Sequence, residues 1–401
     1  MSTAAPQDDR PGFAVLCGEL TPYRVHLHER LVREIPELRL WTLQTWDSTR
    51  SVWTLGDHDS INRVGLAPEP GRHSRWRLGR ALDRWRTARA TKRWLETHRV
   101  AAVLVLGYAE LSRFYAIAWG RRRGVPTLLW GDSNIRADTS TGIRRKIKHL
   151  IVPRILRRCA GAVACGSLGR AFFRRYGVPD DRIFISPYEP DYGLLEGVSA
   201  HAVDEARRRF SLDPARFRMV VSSRLMPFKR VDLAIDAFAA LAERLPPWDL
   251  VILGDGPERS ALEARVPAAL RDRVKFTGFI GRQETVTAVY RASHVLVHPS
   301  EHEPWALVIN EAAAAGLAIV SSDVVGAAAE LVRDGVNGRI VPVGRLDELI
   351  SALAEVTRPD RLASMRAESP RVLAEWRRVA DPVTGLRTAL AAVGALPARK
   401  S

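Results

Sequence analysis

The sequence predicts an α/β protein built as two successive doubly wound parallel-sheet domains, on three observations. Its 401 residues are enough for two separate hydrophobic cores. Short apolar runs of strand length alternate with longer runs of helical period, the pattern of parallel strands joined by crossover helices. The alternation breaks once, over residues 191–216, and then restarts.

The first series opens with "FAVLC" (13–17), a short buried strand, then "GELTPYR" and a helical pattern containing Val25, Leu27, Leu31 and Val32. "LRLWTLQ" (38–44) alternates as a second strand, whereas residues 46–78 are rich in turn formers and carry no assignable element. A basic amphipathic helix covers 80–98 and holds Trp85 and Trp94. Next come "AAVLVLG" as strand, "AELSRFYAIAWGRRRG" as helix, "PTLLWG" as strand, "TGIRRKIKHLIVPRILRRC" as helix with Pro153 inside, and "AGAVACG" as strand. The second series runs "RFRMVVSS", "VDLAIDAFAALAERL", "WDLVILG", "ERSALEARV", "RVKFTGF", "ETVTAVYRAS", "HVLVHPS", "EPWALVINEAAAAG" and "AIVSSD", strand and helix in turn. The chain therefore divides into a first domain (1–190), a linker (191–216), a second domain (217–370) and C-terminal helices (371–401) expected to pack back on the first domain. Ligands on such sheets sit beyond the carboxyl ends of the strands.

Composition narrows the function. The apolar fraction of 46% is that of a globular protein, and no apolar run reaches the roughly 20 residues that cross a bilayer. The N-terminal "MSTAAPQDDRPG" lacks the pattern of a secretion signal, and Cys17, Cys159 and Cys165 form no CxxC pair or disulfide framework. A reducing cytoplasm is the expected location. Residues 1–190 carry 33 Lys/Arg and 18 Asp/Glu, residues 191–401 carry 28 and 27, so nearly all of the net charge of +16 lies in the first half. A basic half can meet an anionic membrane surface, an acidic substrate or nucleic acid.

The stretch "SEHEPWALVINEAAAAG" (300–316) holds Glu303 just before Pro304, a residue suited to the first helical position, and Glu311 eight positions on. A helix starting there would separate the two acids by about 12 Å and turn the amides of Trp305, Ala306 and Leu307 outward at its positive end. That span is too long for a shared proton and suits a sugar and a ribose across a diphosphate. The spacing equally permits two ordinary surface acids. "SSRLMPFKR" (222–230) ends the second domain's first strand with Arg224 and Lys229 around a turn, a pair able to hold a diphosphate or simply two loop cations. "GDGPER" (254–259) also follows a strand; Gly254 and Gly256 permit a tight turn, but the third glycine of the dinucleotide fingerprint is missing. "DHD" (57–59), His298 and His302 read better as loop residues than as metal ligands.

Taken in order, "SSRLMPFKR", "LVILGDGPER", "VKFTGFI", "HPSEHEPWALVINEAAAAG", "AIVSSDVVGAAAELV" and "DGVNGRIVPV" resemble the retaining family-4 glycosyltransferases of the GT-B fold, in which two Rossmann-like domains face each other across a cleft. The resemblance runs from about Phe217 to Leu346. It implies that Glu303 binds the donor sugar at the reaction centre, that Glu311 binds the ribose, and that Arg224 and Lys229 hold the diphosphate. It further implies that the amides of Trp305 to Leu307 contact phosphate or sugar, that backbone at Phe279 and Ile280 frames the base, and that Gly254 lies against the donor. The family commonly has glycine where this chain has Ala306.

The first half is similar to the family in "GELTPYRVHLHERL", where Gly18 would let backbone approach the donor phosphate, and in "PTLLWGDSN" and "VACGSLGRAFFRRYGVPDDRIFISPYEPD", which look like a bacterial subgroup. Other members carry histidine at the position of Asp132. An acid there could orient or deprotonate an acceptor hydroxyl, or cap the following turn. Asp191 matches the family's acid at the end of this domain, with a cleft-lining or structural role.

The expected function is thus retaining transfer of a sugar from a UDP- or GDP-sugar, a co-substrate rather than a cofactor, to a hydroxyl of a glycan, glycolipid or small natural product, with no metal needed. A lipid-linked acceptor and peripheral contact of the basic first domain with an anionic membrane, on its cytoplasmic face, are compatible; nucleic acid is not expected. Rivals are a nucleotide-sugar epimerase or phosphorolytic enzyme on the same fold, and a basic membrane- or nucleic-acid-binding protein.

Overall fold

The computed structural model describes residues 9–45, 60–67, 77–138 and 140–397, without the side chains of residues 77, 78 and 80. The "DHD" turn at 57–59 lies outside these residues. Thirteen strands make two sheets. The first contains β1 (Gly12–Cys17), β2 (Arg39–Gln44), β3 (Asn62–Gly65), β4 (Val100–Leu106), β5 (Thr127–Gly131), β6 (Gly161–Ala164) and β7 (Ile183–Ile185). The second contains β8 (Phe217–Ser222), β9 (Trp248–Leu253), β10 (Val274–Gly278), β11 (Val295–His298), β12 (Ala318–Ser322) and β13 (Gly338–Val341). Their spatial orders are β3-β2-β1-β4-β5-β6-β7 and β10-β9-β8-β11-β12-β13. All the pairings within them are parallel, as strands joined through crossover helices must be. Three strands are absent from the sequence reading: the edge strand β3, short and half-exposed, the three-residue β7, and the edge strand β13.

Both sheets are covered on both faces, which explains strands that read as apolar runs rather than as alternation. Alternate residues of β1 show this directly. Ala14 and Leu16 join Val103, Val105 and Phe172 on one side, and Val15 and Cys17 join Leu104 and Trp130 on the other. In each sheet the order reverses beside the first strand, between β1 and β4 and between β8 and β11. Crevices open at the carboxyl ends of such strand pairs, and here the two crevices belong to one interdomain cleft.

The domains are joined by packing as well as by chain. One apolar cluster runs from Val15 and Trp130 through Tyr188 and Trp305 to Leu296 and Ile309. The segment expected to link the domains folds as helices Tyr192–Glu196 and Ala200–Arg209, which pack on helix Gln283–Arg291 of the second domain. Helix Pro359–Val379 runs unbroken through Pro370, so the boundary placed at 370 falls inside a helix. After it, helix Pro382–Ala392 lies against β7 and helix Pro22–Glu34 of the first domain. Asp381 caps it by accepting from the Thr384 amide at 2.7 Å and pairs with Arg30 at 2.7 Å.

Candidate active site in the interdomain cleft

Glu303 sits in the loop beyond β11, and Lys229 in the 3-10 turn Pro227–Lys229 beyond β8. The switch point thus brings together two residues 74 positions apart, and Lys229 donates to Glu303 Oε2. His298, the last residue of β11, is buried, and its Nε2 stands 3.4 Å from the same oxygen. That nitrogen makes no well-formed hydrogen bond. Burial would raise the Glu303 carboxyl, but His298 and the Lys229 ammonium outweigh it and hold the group near a pKa of about 2. Glu303 is therefore a fixed carboxylate at any working pH, an acceptor of hydrogen bonds rather than a group that trades protons. Reading His298 as an ordinary loop histidine misses this contact; its place at the end of a strand in the switch-point pair is the signal that identifies it.

Arg224 follows β8, is exposed, and has no ion-pair partner among the described residues. Arg230 is committed instead to Asp232 and Glu301. Arg224 and Lys229 thus share one loop. Gly254, just past β9, has φ +129, and a Cβ there would come 1.9 Å from the Ser223 carbonyl oxygen. Glycine is required for this turn to nest beside the 222–230 loop. Past β10, Phe279 is exposed and Ile280 is buried.

The helix after Glu303 begins later than the sequence suggests. It spans Leu307–Ala314, with Ala306 as its N-cap at φ 80, ψ 85, a left-handed conformation costly for any residue with a Cβ. Pro304 is accordingly not its first residue, and the 12 Å separation inferred from eight continuous helical residues does not apply. Trp305 is also not an exposed first-turn residue: it is buried, and its Nε1 donates to the Tyr188 carbonyl of the first domain at 3.0 Å. The amides freed at the helix start are those of Leu307 and its successor. Glu311 accepts from Tyr290 Oη at 3.2 Å and from Gln283 Nε2 at 3.1 Å. Burial raises its carboxyl to about 7, against the pull of those two donors.

The first domain supplies the opposite wall. Asp132 follows β5, and among the described residues its carboxylate caps no turn but accepts from its own main chain. Burial in the cleft raises its pKa, Arg24 opposes this, and the Glu303 charge adds to the rise. Asp132 lines two cavities. One, of about 390 Å³, extends back over Gly18, Tyr23, Arg24, Gly107 and Arg113. The other, of about 480 Å³, reaches His302 and Pro304 of the second domain on one side and Arg144 and Lys148 on the other. Asp191 lines neither cavity; it caps helix Tyr192–Glu196, accepting from the Gly193 amide at 2.9 Å.

A residue the sequence reading passed over fixes the two walls together. Asn134 Nδ2 donates to the carbonyls of Glu303 (3.0 Å), Pro304 (3.3 Å) and Val324 (2.9 Å), while its Oδ1 accepts from the Ala137 amide at 2.6 Å. His302 Nδ1 meets the Ala137 carbonyl at 2.8 Å.

Residues 203–369, which carry Lys229, Gly254, Glu303 and Glu311, match the family described as glycosyl transferases group 1. Among curated relatives, the alpha-D-kanosaminyltransferase of Streptomyces kanamyceticus is 32% identical over 197 residues, 49% of this chain and 50% of that one. The exopolysaccharide phosphotransferase SCO2592 of Streptomyces coelicolor is 36% identical over 139 residues, 34% of this chain and 14% of that one. The chain spans half or less of the length of these two relatives. The whole chain superposes on the Anabaena Alr3699/HepE structure in complex with UDP and glucose with a TM-score of 0.70, at 17% identity, covering 96% of this chain and all of that one. Its architecture is GT-B, and the residues that match the family model lie mainly in the second of its two domains.

Proposed function

We propose that the protein transfers a glycosyl group from a nucleoside-diphosphate sugar to an acceptor hydroxyl, with retention at the anomeric carbon. The observation that carries this reading is the Lys229–Glu303 pair, with His298 behind it, at the switch point of the second domain. Here an anion binder and a hydrogen-bond acceptor already neutralise each other. A donor entering the cleft replaces Glu303 with its diphosphate as the partner of Lys229, and Arg224 closes on the same phosphates. Glu303 is then free to accept from the sugar hydroxyls, and Glu311 from those of the ribose. Amides at the Leu307 helix start add fixed positive potential, so that no metal is needed to hold the diphosphate.

In the transfer, the bond from the anomeric carbon to the phosphate oxygen breaks and its electron pair leaves with the nucleoside diphosphate. The acceptor oxygen bonds to that carbon on the same face. Its proton passes to the departing phosphate oxygen, with Asp132 orienting the hydroxyl across the cleft. Closure of the domains over the bound donor keeps water out.

Incubation with a panel of UDP- and GDP-sugars tests the reading. Binding of one donor, followed by acceptor-dependent release of the nucleoside diphosphate, supports it. An epimerised sugar, release of a nucleoside monophosphate, or no affinity for any donor overturns it.

A further inference from the structure

Helix Gly142–Leu156 buries Val152, Ile155 and Leu156 against the first sheet. At 100° per residue, its opposite side carries Ile143, Ile147, Leu150 and Ile151, and all four are exposed, Ile143 at 74% and Leu150 at 56%. The ordinary surface helix keeps its apolar stripe inward and its polar face outward; this one has a second apolar stripe facing solvent. Two further helices pack on the same face of the sheet. Helix Arg77–Thr97 adds exposed Leu82 and Trp85, and helix Leu111–Arg123 adds exposed Phe114 and Tyr115, while their inner residues Trp94 and Ile117 share one cluster with Val152. Cations border the stripe: Arg144 and Lys146 flank it and Arg154 lies along it, all exposed and with no acidic partner among the described residues.

We propose that this face seats the first domain on an anionic lipid bilayer, with helix Gly142–Leu156 lying in the plane of the interface. Isoleucine and leucine on the outward side, flanked by unpaired arginine and lysine, are what an interfacial helix needs. The apolar stripe enters the acyl boundary and the cations meet the headgroups. A second copy of this chain would press the same unpaired cations against each other. An acidic soluble partner would satisfy the cations but not so extended an aliphatic row. The same helix supplies Arg144 and Lys148 to the cavity shared with Asp132 and His302. Resting on the transferase reading, the acceptor is then an amphiphile whose polar head enters that cavity while its tail stays in the membrane.

Flotation of the full-length protein with vesicles of phosphatidylglycerol and phosphatidylcholine, against phosphatidylcholine alone, tests the surface. The wild type is expected to float with the anionic vesicles, less so at high salt. Ile147→Glu/Leu150→Glu is expected to lower the bound fraction at least tenfold with its thermal midpoint unchanged. Lys146→Glu/Arg154→Glu is expected to do the same by a second route. Absence of flotation, flotation that the Ile147→Glu/Leu150→Glu variant retains, or a wild-type dimer that this variant dissociates without vesicle binding each overturns the proposal. Because the readout involves no donor, failure of the transferase reading appears separately, as missing nucleotide-sugar affinity.

Discussion

Asn134 on the first domain holds the main-chain oxygen of Glu303 on the second at 3.0 Å, so the carboxylate at the centre of the cleft is positioned by a residue on the opposite wall. The same amide group serves two further carbonyls, which have no other donor among the described residues. Asn134→Ala is therefore expected to cost about 1–3 kcal/mol of stability and roughly tenfold or more in kcat/KM. Asn134→Asp should do worse, since it turns an acceptor toward three carbonyl oxygens. Chemical denaturation and steady-state kinetics on both variants check this. Wild-type kcat/KM in Asn134→Asp would show that the contact does not position the site.

Lys229 and Glu303 each neutralise the other in a poorly solvated place. Glu303→Gln and Lys229→Ala should each lower kcat by about a hundredfold or more, since each removes charge from the reaction centre. Nucleotide affinity should separate them. Lys229→Ala weakens binding of the free nucleoside diphosphate, whereas Glu303→Gln leaves it unchanged or tighter, because the competitor for the ammonium is gone. Calorimetric titration of UDP and GDP distinguishes the two.

Glu311 gives a pH signature. Its carboxyl titrates near 7 in the folded chain against an ordinary value of 4.5. The folded state thus binds the extra proton between these values, and its stabilisation is complete below 4.5 and lost as pH rises through 7. Glu311→Gln should remove that slope and make the protein more stable than wild type at pH 8 by on the order of 3 kcal/mol. On the proposed reading ribose hydroxyls donate to the ionised form, so nucleotide affinity of the wild type should rise from pH 6 to pH 8 and that of Glu311→Gln should not. Melting and titration across this range read both effects.

Ala306 occupies backbone space that suits glycine. Ala306→Gly should raise stability slightly, the relief of roughly 1–2 kcal/mol of strain being partly offset by a looser unfolded chain. Ala306→Val should cost more than 2 kcal/mol, since a β-branched side chain fits left-handed backbone least well. Denaturant midpoints measure both; equal midpoints for glycine and valine would deny the strain.

Where sequence and structure agree, the cause is local. The strands of both sheets are buried on two faces and so appear as apolar runs, and the residues after them appear as loops at the carboxyl edge. That logic placed Arg224, Gly254, Glu303 and Asp132 at strand ends without any knowledge of the cleft. It failed where the deciding contact is distant. Pro304 reads as a helix start because proline is common there, yet Trp305 is drawn into the first domain and the helix begins only at Leu307. Asn134 stands two residues from Asp132 in the same quoted motif, but its three acceptors lie 169 to 190 positions away and leave no periodic trace. The stripe on helix Gly142–Leu156 was visible as apolar residues; only the packing shows which of them point outward.

Helix Pro382–Ala392 belongs in space to the half of the molecule that the chain had left nearly two hundred residues earlier. Gly385 presses so closely on β7 that a Cβ would come 1.7 Å from the Ile185 oxygen, and Ser186 Oγ holds the Pro382 carbonyl at 2.9 Å. The polypeptide consequently passes between the lobes twice, near 190 and again near 380. Any hybrid enzyme that exchanges acceptor halves must be cut at both crossings and must transplant the tail with the head. A single splice at the midpoint would graft a foreign lobe onto a helix shaped for another.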